Sequence, residues 1–358
     1  MSVDVVLSSG SFWPREGGAE RQMRQVLQAC VRDGLRCAVV TQVVPGQPRR
    51  ALVEGLDVHR VGSLLLFRRA PRLAQLVWLL VQAWTVLRLR PRAAVSIQLG
   101  AASVAVALAR SLRPLRHVVR LTGGGTQQFR SEPWARRSSA LGRLVVRLLA
   151  REEVLLVSPA RHLLEDFASA FPEHPLPSRV VPNGVAEILA ERLPPDAART
   201  GVVWYARGGS VKSTSAFLDV VVACPDLRFS AFGRTDDLQD GTGVHRLGWV
   251  ADPVEVLGPA RVLLNTSPTE GMPNTALQAL AAGLRVVGPA NEGLRELAVT
   301  YPDRVTLVDL DDPAGSARVL REVHAAPLPG PAAVPSASTV LDLWKQIFSE
   351  EEEDRCHA

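Results

Sequence analysis

Arg207 and Lys212 stand five residues apart in "WYARGGSVKST" (204–214), with Gly208 and Gly209 between them. Arg can grip two oxygens at once and Lys acts as a mobile point charge, so the pair suits a group with several anionic oxygens, such as a diphosphate. The stretch is not a P-loop. G-x-x-x-x-G-K-[ST] needs glycines at 206 and 211, and those positions hold Ala206 and Val211. The apolar run "GVVWYA" (201–206) reads as a buried strand, which puts both cations at its carboxyl end. Open α/β sheets bind ligands there. Two cations at such a place offset the charge that builds on a departing diphosphate. Alone, an R-x4-K spacing also fits an ordinary surface pair.

A second group lies in "NTSPTEGMPNTALQALAAGLRVVGPANEG" (265–293). A strand over 260–265 gives way to a Ser/Thr/Pro/Gly turn, and a helix is expected from near Pro273 to the "AAG" at 281–283, with Gly283 as its cap. The unpaired N–H groups of a helix start form an anion site. Glu270, just before it, can accept hydrogen bonds from sugar hydroxyls or merely complement the helix dipole.

These groups need a scaffold, and the chain supplies a repeating one. Apolar runs at 3–8, 36–41, 93–98, 117–121, 154–158, 201–206, 228–232, 260–265, 284–288 and 304–308 alternate with helical stretches, the first over about 19–32. Continuous Val/Leu strands between helices mean parallel sheets covered on both faces. About a dozen strands exceed one ordinary doubly wound sheet, so two Rossmann-like α/β domains are expected, broken near "ERLPPDAART" (191–200). The expected domains are 1–190 and 200–325. Residues 326–358 add a Pro-rich connector, a last amphipathic helix and an acidic tail.

Net charge is +5, unevenly spread. Residues 1–186 carry 26 arginines and 12 acids, a net of +14; residues 187–358 carry 15 basic residues and 24 acids, a net of −9. The first half suits an anionic partner such as nucleic acid, an anionic membrane surface or a phosphorylated acceptor, or it is a solvated face. Aromatic content of 5% with no stacking platform disfavours nucleic acid. The apolar stretch 73–87 is short for a span and is bracketed by arginines, so it reads equally as an interfacial helix or a packed one. Four cysteines without a C-x-x-C pair, and an N-terminus without a basic n-region, point to a reducing, cytoplasmic setting and no signal peptide, with peripheral association at a membrane's inner face as an option.

"EGMPNTALQALAAGLRVV" resembles the motif of glycosyltransferase family 4, retaining enzymes of the GT-B fold. "PREGGAERQ" is similar to the family's glycine-rich first loop, and "VVPNGV" (180–185) to the motif that closes its first domain. The resemblance implies a GT-B architecture of two Rossmann-like doubly wound domains facing across a cleft. It implies hexosyl transfer from a nucleotide-diphosphate sugar to a saccharide acceptor, lipid-linked or at the cell surface. It implies no metal and no dissociable cofactor.

By the same resemblance Arg207 and Lys212 hold the diphosphate and Glu270 binds the sugar's hydroxyls. Gly271, Met272, Pro273 and Asn274 line sugar or phosphate, with Thr275 beside them. Gly17 and Gly18 bring the first loop close to the reaction centre, or form a plain turn. Asn183 is a donor contact or a turn residue. Gly123 and Gly124 suit a loop pressed against a ligand. Two departures stand out. Gln278 occupies the place of a ribose-binding Glu, keeping an acceptor oxygen without the charge. Gln98 lies where the family often has a His, and His117 and His162 read as structural, so no catalytic base is named. A catalytically degenerate nucleotide-sugar-binding protein and a sugar-nucleotide epimerase remain alternatives.

Overall fold

The computed structural model describes residues 3–14, 17–63, 69–123, 146–150, 154–186, 192–206, 213–236, 238–239, 241–250 and 252–350, with backbone only at 71–72. In chain order the elements are β1 (Val5–Ser8), α1 (Gly18–Arg32), β2 (Cys37–Gln42), β3 (Arg50–Val53), β4 (Leu56–Val61), α2 (Pro71–Leu89), β5 (Ala93–Ile97), α3 (Ala101–Leu112), β6 (Arg116–Arg120), β7 (Leu155–Ser158), α4 (Arg161–Ala170) and β8 (Ser178–Val180). There follow β9 (Gly201–Ala206), α5 (Thr214–Ala223), β10 (Arg228–Gly233), β11 (Val244–Gly248), α6 (Pro253–Leu257), β12 (Ala260–Leu264), α7 (Asn274–Ala281), β13 (Arg285–Pro289), α8 (Glu292–Thr300), β14 (Val305–Val308), α9 (Pro313–Ala325) and α10 (Ala337–Ser349).

Two compact units result. The first comprises Met1–Thr122, Thr126–Asn183 and Ser338–Ala358; the second comprises Gly123–Gly125 and Gly184–Ala337. The first sheet runs β3-β4-β2-β1-β5-β6-β7-β8 and the second β11-β10-β9-β12-β13-β14. All pairings are parallel except β3 with β4. The ten apolar runs each form a strand at or within two residues of its expected place. The β3–β4 hairpin turns at Glu54 and Gly55, both at positive φ, as a two-residue hairpin loop demands.

Period-two geometry explains why the runs are apolar throughout. In β1, Val5 and Leu7 join Met23 and Leu27 of α1 and Val340, Trp344 and Ile347 of α10, while Val6 faces Trp78 and Val86 of α2 and Val106 of α3. In the second sheet Val203, Leu263 and Val286 meet Leu277 and Leu280 of α7, and Val202, Trp204 and Val262 meet Phe217 of α5 and Leu320 of α9. Each fully buried Val, Leu or Phe side chain contributes about 1.5–3 kcal/mol.

In each sheet the strand order reverses once, between β1 and β5 and between β9 and β12. The carboxyl ends of the strands at such a reversal are where doubly wound sheets bind ligands.

Candidate functional site

A small pocket lies at the carboxyl ends of β9 and β12, lined by Trp204, Tyr205, Leu264, Asn265, Thr266 and Thr275 among others. Thr275 is in the first turn of α7, so the helix starts beside the reversal point of the second sheet. Pro273 takes the N-cap position, one residue earlier than a first-turn proline, and its carbonyl accepts from the N–H groups of Ala276 (3.0 Å) and Leu277 (3.2 Å). The N–H groups of Asn274 and Thr275 have no acceptor within the helix, as at any helix start. Gly283 follows the helix at φ +76, the left-handed geometry of a C-terminal stop.

The loop from Asn265 to Gly271 is held from several sides. Asn265 Oδ1 accepts from the Ser267 N–H at 2.8 Å. Trp204 Nε1 donates to Thr266 Oγ1 at 2.8 Å, and its ring stacks on Phe217 with centroids 4.2 Å apart. Asn291 Nδ2 donates to the Ser267 carbonyl at 2.8 Å, while its Oδ1 caps α8 by accepting from the Leu294 N–H at 2.9 Å.

Two glycines allow the close approach. A Cβ on Gly288 would lie 2.7 Å from the Asn265 carbonyl oxygen. A Cβ on Gly293 would lie 2.7 Å from the carbonyl oxygen of Gly271 and 3.0 Å from that of Glu270. Glu270 is thereby fixed, half-buried, directly before the start of α7. Gly271 itself is buried, and a Cβ there would clash with the carbonyl oxygen of Gly123. Met272 packs against the core under α7, Pro273 is buried, and Asn274 and Gln278 are half-buried one helical turn apart. Among the described residues the buried oxygens Ser267 Oγ and Asn274 Oδ1 have no hydrogen-bond partner.

Trp204, Asn265, Asn291, Gly288 and Gly293 were not singled out as site residues in the sequence. Asn291 carried a usable signal, an N-cap residue directly before an apolar-periodic stretch. Trp204 carried none, since a strand tryptophan reads only as core.

In the first unit, Glu20 organises the region after β1. Its Oε1 accepts from Ser11 Oγ at 3.0 Å and its Oε2 from the Gly17 N–H at 3.0 Å. Gly17 is the extended N-cap of α1 at φ −88, and Gly18 opens the helix. Gln98, at φ +64 past the end of β5, donates from Nε2 to Thr122 Oγ1 at 2.7 Å. Gly123 follows at φ +91. Asn183 Oδ1 accepts from Arg120 Nη2 at 2.6 Å. Arg120 is buried beneath Trp344, 5.3 Å from the ring centroid, and burial pulls its guanidinium down to about 10. His117 donates to or accepts from Ser96 Oγ at 2.9 Å, and burial holds it neutral, down to about 3. Arg207, Lys212 and Gly124 lie outside the described residues.

Residues 211–325 match the family model described as Glycosyl transferases group 1. The whole chain is similar in structure to Anabaena HepE, solved in complex with UDP and glucose, at a TM-score of 0.69 with 15% identity over 98% of this chain and 100% of that one. It is similar to sucrose-phosphate synthase from Thermosynechococcus elongatus (TM-score 0.68, 15% identity, 97% of this chain and 96% of that one). It is also similar to α,α-trehalose 6-phosphate synthase from Burkholderia multivorans (0.67, 13%, 97% and 98%).

The fold is GT-B. No curated protein matches the sequence. Within this fold the loop 265–271 and the start of α7 belong to the second α/β domain, and they fall inside the segment that matches the glycosyltransferase model.

Proposed function

We propose that the chain is a metal-independent, retaining glycosyltransferase of family 4 type, moving a hexosyl group from a nucleotide-diphosphate sugar to a saccharide hydroxyl. The observation that supports this reading is the start of α7, whose Thr275 lines the pocket at the carboxyl ends of β9 and β12 where the strand order reverses, with Glu270 in the loop that leads into that helix. Glu270 binds donor-sugar hydroxyls, with Gly271, Met272, Pro273, Asn274 and Thr275 around them. Gln278 meets the ribose.

Arg207 and Lys212 follow β9 in sequence and neutralise the diphosphate as the glycosidic bond to it breaks. In this reading Gly17, Gly18 and Asn183 of the first unit, and Gly123 and Gly124 of the second, each contact substrate. Retention follows from attack on the face that the diphosphate leaves, its oxygen taking the acceptor's proton. No side-chain base is then required, which fits Gln98 standing where the family often has a His. The acceptor is a lipid-linked or cell-surface saccharide, and the setting is cytoplasmic.

The test is release of nucleoside diphosphate from a panel of UDP-, GDP-, ADP- and dTDP-sugars, read with and without saccharide acceptors. The solved HepE complex with UDP makes uridine nucleotides the first to try. Acceptor-dependent release from one donor supports the proposal. Tight nucleotide binding with no release under any acceptor instead marks a binding protein that lost turnover, a reading that Gln278 favours; Gln278→Glu then fails to restore activity.

A further inference from the structure

Helix α2 carries an apolar stripe that its own domain leaves uncovered. Leu73, Leu76, Leu80 and Trp84 are 51%, 53%, 53% and 61% exposed, and Val81 is exposed beside them. Their spacing of three and four residues puts them on one face of the helix, over about 17 Å of its length. Arg88 lies one turn after Trp84 on the same face, and Arg69 stands just before the helix's N-cap Ala70; both are exposed.

The opposite face is fixed. Trp78, Leu79, Ala83 and Val86 are buried, and the fully buried Gln82 donates from Nε2 to Ser8 Oγ at 2.8 Å and to the Val40 carbonyl at 3.3 Å. The helix therefore lies flat on the sheet and cannot roll to hide its stripe. It does not cross a bilayer, since no described helix is long and apolar enough.

The charge around the stripe identifies its occupant. Residues 58–131 contain twelve arginines and not one Asp or Glu. Arg90 and Arg92, just past the helix, are exposed as well. Of these arginines Arg60 and Arg120 are buried and Arg116 pairs with Glu350, but Arg69, Arg88 and Arg90 beside the stripe are exposed. A second copy docked face to face would set these cations, with no acid from 58–131 to answer them, against the same cations of its partner, and like charges across an interface repel. An anionic bilayer supplies both a shallow apolar layer for Leu, Val and Trp and negative charge for the arginines at either end.

We infer that the exposed face of α2 is a docking surface for an anionic lipid bilayer, with Leu73, Leu76, Leu80 and Trp84 entering the headgroup boundary and Arg69 and Arg88 engaging headgroup phosphates. This does not rest on the transferase reading. It holds or fails by binding alone.

The test is co-sedimentation of the full chain with vesicles of phosphatidylcholine, alone or with about one third phosphatidylglycerol, at about 0.05 M and about 0.5 M salt. The expected result is binding to the mixed vesicles at low salt, with at least about a tenfold loss on neutral vesicles or at high salt. Leu76→Asp with Trp84→Ser is expected to cost at least about tenfold in binding with an unchanged melting temperature, because both side chains are already exposed. Arg69→Glu with Arg88→Glu, which leaves the stripe intact, is expected to weaken binding to the mixed vesicles only. Absence of binding at low salt overturns the inference. So does wild-type binding by the Leu76/Trp84 variant, or a dimer of the free chain that those substitutions dissolve.

Discussion

Asn291 Nδ2 donates to the carbonyl of Ser267 at 2.8 Å, tying the loop after β13 to the loop after β12. The same side chain caps α8 through Oδ1. One residue thus fixes a helix start and the loop that carries Glu270, so its two jobs can be separated. Asn291→Ala removes both bonds and is expected to cost about 1–3 kcal/mol of stability. Asn291→Ser keeps a side-chain oxygen that can cap α8 but has no amide to donate to the Ser267 carbonyl. It should lose less stability than the Ala variant while turnover falls by about tenfold or more, since a misplacement of about 1 Å at a reaction centre can cost 10²-fold. Chemical denaturation beside nucleoside diphosphate release checks both. Wild-type turnover in the Ser variant would show that the loop needs no such tie.

Gly293→Ala sets two effects against each other. Alanine favours a helix over glycine by about 1 kcal/mol. The new Cβ would sit 2.7 Å from the Gly271 carbonyl oxygen, closer than real Cβ contacts allow. The clash is with backbone, so the Glu270–Gly271 loop must shift. The expected outcome is a net loss of stability of about 1–3 kcal/mol, with donor affinity impaired. A variant more stable than wild type, with unchanged donor binding, would mean that the loop yields freely.

Arg120 and Asn183 form a buried pair in the first unit. Asn183→Ala takes away the 2.6 Å acceptor and leaves a guanidinium in a dry site with the Val181 carbonyl at 3.4 Å and the Trp344 ring. A loss of about 2–4 kcal/mol is expected, because a buried charge stripped of a partner keeps its desolvation cost. Arg120→Met with Asn183→Ala should lose less than the sum of the two single changes. Denaturant titration of the four proteins measures this, and simple additivity would show that the contact contributes nothing of its own.

His117 makes stability depend on pH in a defined direction. Burial holds its folded-state value near 3, against an ordinary value near 6.5. Below 6.5 the unfolded chain takes up a proton that the folded chain refuses, so stability drops as pH falls from 6.5 towards 3, by up to about 1.4 kcal/mol per pH unit. His117→Gln removes that term. The gap in unfolding free energy between wild type and variant should shift against the wild type between about pH 7 and pH 4.5. A gap that stays constant over this range contradicts a neutral, buried imidazole.

Much of the scaffold was legible because both faces of its sheets are buried, which turns parallel strands into unbroken Val/Leu runs such as "VDVVLS" and "GVVWYA". Four strands escaped notice because they lack that signal. Leu56–Val61 lies inside the sheet but alternates buried and half-buried residues and carries Asp57, His59 and Arg60. Arg50–Val53 alternates between exposed and half-buried residues, Ser178–Val180 is exposed throughout, and Val244–Gly248 includes exposed His245 and Arg246; these three lie at sheet edges. The last helix shows an apolar face in the sequence, but nothing there tells that Trp344 packs against Arg120 in the first unit rather than in the domain it follows. For the site, Glu270 and the start of α7 were visible from the turn chemistry before a helix. The residues that hold them, Trp204, Asn291 and Gly293, act through contacts between segments far apart in sequence, which spacing does not reveal.

Glu270→Gln tests the role of the carboxylate. It keeps the shape and one acceptor oxygen but loses the charge. Affinity for the complete nucleotide sugar should fall by about tenfold or more, with affinity for the bare nucleoside diphosphate nearly kept. Calorimetric titration of both ligands separates the two. Equal loss for both would place Glu270 on the nucleotide rather than the sugar.

The most direct measurement of the central claim is acceptor-dependent release of nucleoside diphosphate by Arg207→Ala and by Lys212→Ala, each beside wild type and with the donor that the panel identifies. If these two cations steady the departing diphosphate, each change lowers turnover by about 10²–10³-fold while the melting temperature holds. Turnover equal to wild type in both variants would contradict the account.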